Sequence, residues 1–256
     1  MNPLVSVIIP TYNRSELVCS CIDSILRQTY APAEIILVDD GSSDDTVSAV
    51  SRRYGAKVIV ASLPHSGLPA VSRNEGIRIA GGEYVAFCDS DDLWNPNKLE
   101  IQMDMLTPGN YNFTCSNAAV LGEKSDYFKN YKFPYADMKK NLMADNFVIT
   151  SSVLMRKDLL RGSGFSVSRY LRGYEDYALW LKLSSKLSIY YSSTSLLQYR
   201  KHSGSLSADV RLRDSIIQLR LLAANRASLR HPFIALKKAA KYSYRALNEI
   251  IKKNIF

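Results

Sequence analysis

Three carboxylates stand within four residues at Asp89-Ser90-Asp91-Asp92, directly after the apolar run Tyr84-Val85-Ala86-Phe87-Cys88. Such a run reads as a buried strand. Charge delivered at its carboxyl end lies where open α/β sheets bind ligands, and carboxylate oxygens there suit Mg2+ or Mn2+ held together with substrate phosphates. The competing reading is an acidic turn that starts the next helix from Asp92 or Asn95, although a helix cap uses one acidic residue rather than three. Two other apolar runs end in polar residues: one in Pro10-Thr11-Tyr12-Asn13-Arg14, the other in Asp39-Asp40-Gly41-Ser42. Together they offer what a nucleotide needs, namely an aromatic face for the base, a carboxylate for base or ribose donors, and a cation site for phosphates. A separate acidic pair, Glu175-Asp176, precedes the helical pattern Leu179-Trp180-x-x-Leu183. It is either the negative first turn of that helix or a partly desolvated carboxylate at the edge of a site.

The elements that must carry these residues alternate through the first hundred positions. Strands are expected over 5–10, 35–39, 58–61 and 84–89, and helices over 16–28, 44–53 and 68–80, with Gly41-Ser42-Ser43 and Gly81-Gly82 as turn and stop signals. This rhythm predicts βαβ units and a mostly parallel sheet. Beyond Leu106 it changes: 113–121, 149–155 and 196–200 read as strands. A stretch with Tyr127, Phe128, Tyr131, Phe133 and Tyr135 lies between the first two of them, as a lid, an acceptor platform or simple packing.

The net charge is +9, and its placement says more than its size. Beyond Ala208 there are eleven Lys and Arg against three Asp and Glu, so residues 1–208 are nearly neutral. In that tail Phe233, Leu236, Ala240, Tyr244, Leu247 and Ile251 recur at helical spacing, with Lys238, Lys241, Arg245 and Lys252 on another face. The pattern fits a basic amphipathic helix at an anionic membrane surface, or one packed on its own domain with its lysines in water. Nucleic acid is disfavoured, because no stacking aromatics interleave the basic face. Cys19, Cys21, Cys88 and Cys115 lack paired metal spacing, which points to a reduced, cytoplasmic setting. No signal peptide is evident, and no apolar run reaches the roughly 18 residues of a membrane span.

The ordered set of motifs resembles the family 2 glycosyltransferases of the GT-A fold. It comprises Val5-Ser6-Val7-Ile8-Ile9-Pro10-Thr11-Tyr12-Asn13-Arg14, Glu34-Ile35-Ile36-Leu37-Val38-Asp39-Asp40-Gly41-Ser42, Arg73-Asn74-x-Gly76, and Gly82 through Asp92. Glu175-Asp176-Tyr177-Ala178-Leu179-Trp180-Leu181 and Tyr199-Arg200-Lys201-His202 complete it. The resemblance implies an α/β catalytic domain over 1–208, with a Rossmann-like, mostly parallel central sheet flanked by helices. Residues 1–106 would bind the nucleotide, 107–208 the acceptor, and 209–256 would form a C-terminal helical extension. It implies that Pro10, Thr11, Tyr12 and Asp40 hold the base, that Arg73 and Asn74 lie near the donor, and that Asp89-Ser90-Asp91 is the family's Asp-x-Asp element. Asp91 is then the first choice for Mn2+ or Mg2+, Asp89 lies nearer the ribose or sugar, and Asp92 is able to share the metal role. His202 would complete the metal site or meet the diphosphate, and Arg14 and Arg200 are further candidates, Arg200 for phosphate. Asp176, with Glu175 beside it, falls at the position of the general base, which gives direct displacement and inversion at the anomeric carbon.

Two absences shape the expected activity. No Gln-x-x-Arg-Trp element follows Trp180 and no span is present, unlike the processive synthases of that family, so a single sugar is expected to move from a nucleotide sugar, UDP-linked by preference. With the basic tail, the resemblance suggests a glycan or lipid-linked oligosaccharide acceptor at the inner face of a bacterial membrane. A sugar-phosphate nucleotidylyltransferase would need a glycine-rich loop after the first strand, where this chain has Pro10-Thr11-Tyr12-Asn13. A non-catalytic sugar or nucleotide-binding module remains as an alternative, separated by whether a UDP-sugar is turned over.

Overall fold

The computed structural model describes residues 2–129, 132–133 and 136–201. The tail and His202 therefore lie outside the described residues, as do Tyr131 and Tyr135. The chain divides into two compact units, the first comprising Met1–Tyr131, Val148–Phe165 and Leu187–Lys201, the second Lys132–Phe147, Ser166–Lys186 and His202–Phe256.

The first unit is built on one sheet. Its strands are β1 (Val5–Thr11), β2 (Ala33–Asp39), β3 (Val58–Ser62), β4 (Tyr84–Phe87), β5 (Leu93–Trp94), β6 (Phe113–Val120), β7 (Leu154–Arg156) and β8 (Ile189–Tyr199). They lie in the order β3-β2-β1-β4-β7-β6-β8-β5. Strands β1 to β4 pair in parallel, as do β6 and β8, whereas β7 runs antiparallel to both β4 and β6. Every residue of β1 and β4 is buried, as continuous apolar runs in a parallel sheet require. Helices α1 (Ser15–Leu26), α2 (Thr46–Tyr54), α3 (Pro69–Ile79) and α4 (Lys98–Leu106) connect these strands. Gly76 lets α3 lie directly on β1, because a Cβ there would come within 2.3 Å of Ile8 Cγ2. In the second unit α5 (Met138–Ala144) and α6 (Glu175–Leu183) are joined by the Tyr177 hydroxyl, which donates to the Leu142 carbonyl at 2.8 Å.

The early strands and helices fall within a few residues of their expected places, and three later expectations need correction. The segment 149–155 is not one strand: it holds a single 3-10 turn, Thr150–Ser152, followed by the short β7. Its Thr-Ser-Ser centre turns rather than extends because Ser152 Oγ donates back to the Ile149 carbonyl at 2.7 Å. The strand expected over 196–200 begins earlier, at Ile189. The helix after the acidic loop starts at Lys98 rather than at Asp92 or Asn95, with β5 in between, so the carboxylates do not cap it.

Behind that loop the core contains a charged residue. Lys98 is fully buried, its Nζ lying 3.9 Å from the centre of the Trp94 ring and donating to Gln102 Oε1 at 2.7 Å. Burial pulls its amine from the usual value of 10.5 down to about 7, against a weaker upward pull from Cys88 and Cys115. In the unfolded chain the amine keeps its ordinary affinity for protons, so between those two values the unfolded state binds more protons and stability rises with pH. Lys98→Met removes the group. Chemical denaturation from pH 7 to 8.5 is expected to show wild type gaining on this variant by up to about 1.4 kcal/mol per pH unit. Parallel pH profiles would contradict the buried amine.

Candidate active site

The ends of β1 and β2 are locked together by side chains that mimic turns. Asn13, at φ 48°, accepts through Oδ1 from the Ser43 N–H at 2.8 Å, and its own N–H donates to Ser42 Oγ at 2.8 Å. Arg14 N–H donates to Thr46 Oγ1 at 3.0 Å, at the start of α2. Asp39 holds Ser42 by accepting from both its N–H and its hydroxyl. These bonds fix the backbone from which Tyr12 and Arg14 project.

Asp40 is 6 % exposed and is built into the loop after β3. Its Oδ1 accepts from Ser66 N–H at 2.9 Å and Ser66 Oγ at 2.8 Å, and its Oδ2 from Gly67 N–H at 2.9 Å, with His65 Nδ1 at 3.2 Å. Its carboxylate thus braces residues 65–67 with much of its accepting capacity already used. The His65 ring stacks on Tyr12 with centroids 4.1 Å apart, while Tyr12 is 41 % exposed. An accessible aromatic face beside a buried carboxylate is a platform suited to a planar base. Gly41 permits the approach: it sits at φ +73°, and a Cβ there would lie 2.7 Å from the His65 nitrogen. Pro10 and Thr11 are buried at the end of β1, just before Tyr12.

At the end of β4 each of the first two carboxylates meets an arginine. Arg73, 5 % exposed on α3, donates through Nη2 to Asp89 Oδ1 at 2.7 Å, and its guanidinium lies 5.4 Å from the centre of the Phe165 ring. Arg14 Nη1 lies 2.7 Å from Asp91 Oδ2 and 3.4 Å from Ser90 Oγ. Arg200 ties the end of β8 to the same loop, its N–H donating to Asp92 Oδ1 at 3.1 Å and its Nε to the Asp91 carbonyl at 3.1 Å. Asp92 is buried, which pushes its carboxyl pKa well above the usual range, and the neighbouring Asp89 and Asp91 charges add to the shift. Asp89 N–H donates to Ser151 Oγ at 2.9 Å, so the 3-10 turn forms the back of the loop.

The remaining candidates divide. Asn74 spends its amide on the Phe165 backbone, donating to the carbonyl and accepting from the N–H at 2.8 Å each, which makes it a tie between α3 and the segment after β7. Glu175 and Asp176 lie in the second unit and open α6, as the acidic first turn required. Glu175 is buried and accepts from Gly173 N–H at 2.6 Å; Asp176 is half-buried and accepts from Tyr177 N–H at 2.6 Å. His65, Ser66, Gly67 and Ser151 carry no motif in the sequence that marks them as contributors. Only the placement of 65–67 just after the third strand hints at three of them.

The donor set at the β4 end is all oxygen, which fits Mg2+ or Mn2+. Among the described residues no group of three or more His, Cys, Asp or Glu side chains is gathered as a metal site. The protein's share would be Asp91, with Asp89 beside it, and substrate phosphates would supply further oxygens.

Comparison with known proteins places this geometry. Residues 6–164, more than half of the chain, match the model of glycosyl transferase family 2. A relative from Escherichia coli, the UDP-Glc:alpha-D-GlcNAc-diphosphoundecaprenol beta-1,3-glucosyltransferase WfaP, is 31% identical over 254 residues, covering 97% of this chain and 95% of its own. Among solved structures, Staphylococcus aureus TarS 1-349 in complex with UDP-GlcNAc aligns with a TM-score of 0.71 at 21% identity over 95% of this chain and 72% of that one. The mannosyltransferase PcManGT from Pyrobaculum calidifontis, in complex with GDP-Man and Mn2+, aligns with a TM-score of 0.63 at 20% identity over 97% and 76%. With a GT-A sheet carrying its paired carboxylates and arginines at the strand ends, the chain belongs to glycosyl transferase family 2 and is a glycosyltransferase.

Proposed function

We propose that the protein transfers one sugar from a UDP-sugar to a hydroxyl of a glycan or lipid-linked oligosaccharide, with inversion, in the assembly of a bacterial surface polysaccharide. The observation that carries this reading is the end of β4, where Asp89 pairs with Arg73 and Asp91 with Arg14. Two guanidinium groups and two carboxylates at one strand end can share a diphosphate and a divalent cation. A nucleotide is supported by the Tyr12–His65 platform beside Asp40, and UDP by the donor named for the E. coli relative, whose acceptor is an undecaprenol-linked diphosphosugar.

Each residue has a task in this mechanism. Tyr12 supports the base by stacking, and Asp40 holds the Ser66-Gly67 loop in place beside it. Arg14 and Arg73 meet the negative charge that grows on the diphosphate as the sugar–oxygen bond breaks. A divalent cation held by Asp91 would supply further stabilisation of that leaving group. Asp176, half-buried at the first turn of α6, accepts the proton of the acceptor hydroxyl as its oxygen attacks the anomeric carbon from the face opposite the departing diphosphate. One displacement with one base inverts the anomeric configuration.

Release of UDP from UDP-sugars in the presence of Mn2+ tests the assignment. Asp91→Asn is expected to lower kcat by about 10²–10³ and Asp176→Asn by about 10²–10⁴. Tight UDP binding with no release from any donor or acceptor would show a binding module instead.

A peripheral membrane position is supported by the charge of residues 209–256 and by the lipid-linked acceptor of the relative. Among the described residues no helix is long and apolar enough to cross a membrane. The full chain is expected to sediment with anionic phospholipid vesicles at low salt, and a chain ending at Ala208 is not; equal sedimentation of the two would rule out the tail as the membrane contact.

A further inference from the structure

The buried amine of Lys98 has no part in the chemistry above, and packing alone does not explain it. A Met or Leu of similar volume would fill the same space without the desolvation cost of an amine. What distinguishes Lys98 is the polar path that begins on it. Its Nζ donates to Gln102 Oε1 at 2.7 Å, and Gln102 Nε2 donates to the Ser152 carbonyl at 2.8 Å. The Trp94 ring on which Nζ rests donates from Nε1 to the Ser151 carbonyl at 3.0 Å. Both branches thus end on successive carbonyls of the Thr150–Ser152 turn, and Ser151 Oγ in turn receives the Asp89 N–H at 2.9 Å. Lys98, Gln102, Ser151 and Ser152 are all buried to 2 % exposure or less, and Trp94 to 4 %, so water cannot replace a lost partner cheaply.

We propose that Lys98 is a positioning residue for the donor-binding loop: braced between Trp94 and Gln102, it fixes the Thr150–Ser152 turn and thereby the backbone of Asp89 from which the paired carboxylates project. The inference rests on the assignment of Asp89 and Asp91 to the donor. A small displacement of that loop misplaces both carboxylates against the diphosphate without removing either, so the loss falls on the reacting geometry rather than on folding.

The test is a double-mutant cycle on the full chain, joining Lys98→Met at one end of the path to Ser151→Ala at the other. In UDP release with Mn2+, each single variant is expected to lose about ten- to a hundredfold in kcat. KM for the donor is expected to change by less than about threefold, and the double variant to fall no more than about threefold below the worse single one. The melting temperature of Lys98→Met is expected to fall by no more than a few degrees, because removing the buried amine's desolvation cost offsets the bond lost at Gln102 Oε1. A kcat for Lys98→Met within twofold of wild type, or fully multiplicative losses in the cycle, would overturn the proposal. If Lys98→Met does not fold, Gln102→Leu takes its place in the same cycle with the same outcomes. Hydrogen exchange provides a readout independent of turnover: the Asp89 amide is expected to exchange about tenfold faster in Lys98→Met, with the β1 amides unchanged. A wild type that releases no UDP would sink the glycosyl-transfer assignment by itself, and unaltered Asp89 exchange would then still sink the positioning role.

Discussion

Three carboxylates in four consecutive residues repel one another, and the first unit is arranged to hold them together at the end of β4. Arg73 takes Asp89, Arg14 takes Asp91, and burial keeps Asp92 toward its neutral form. Each solution comes from a different element. Arg73 rides on α3, which reaches β1 because position 76 is glycine, and Arg14 follows β1 itself in a loop stapled to the end of β2 by Asn13. The parallel pairing of β1 with β2 and β4 places these loops on one edge, so the charge balance at Asp89 and Asp91 depends on the sheet register. One partner of each pair, Asp89 beside Arg73 and Arg14 beside Asp91, is a third exposed, which leaves its charge open to exchange with the diphosphate and cation of the proposed mechanism.

The same logic explains why Asp40 differs from its acidic neighbours. Its carboxylate is engaged by Ser66, Gly67 and His65, so its contribution is to the shape of the platform on which Tyr12 stands. A side chain bonded within its own loop is less exposed to competition from water than one left unpartnered, and it holds that loop in place. Behind the acidic loop the polar path from Lys98 to Ser151 works in the same way, with buried groups satisfied by one another rather than by solvent.

What could be read from the sequence follows the range of the forces involved. Strands β1, β2 and β4 were legible because burial on both faces leaves an unbroken apolar run, and the polar residues that end those runs marked the site edge. The first turn of α6 was legible for a local reason too, since acidic residues favour a helix start. The 149–155 segment misled because its Thr-Ser-Ser centre bonds back onto its own backbone, which β-branched and apolar neighbours do not reveal. The amide of Asn74 is clamped on Phe165, 91 positions away, a pairing no local pattern encodes. No local pattern marks Lys98 as buried; the meeting of α4 with β5 and the 3-10 turn buries it.

In the proposed mechanism the β4-end carboxylates receive a diphosphate together with a divalent cation. Calorimetric titration of UDP into the protein, with Mn2+ and with a chelator, tests that most directly. UDP binding is predicted to be at least about tenfold tighter with Mn2+. Equal affinity in the two conditions would contradict it.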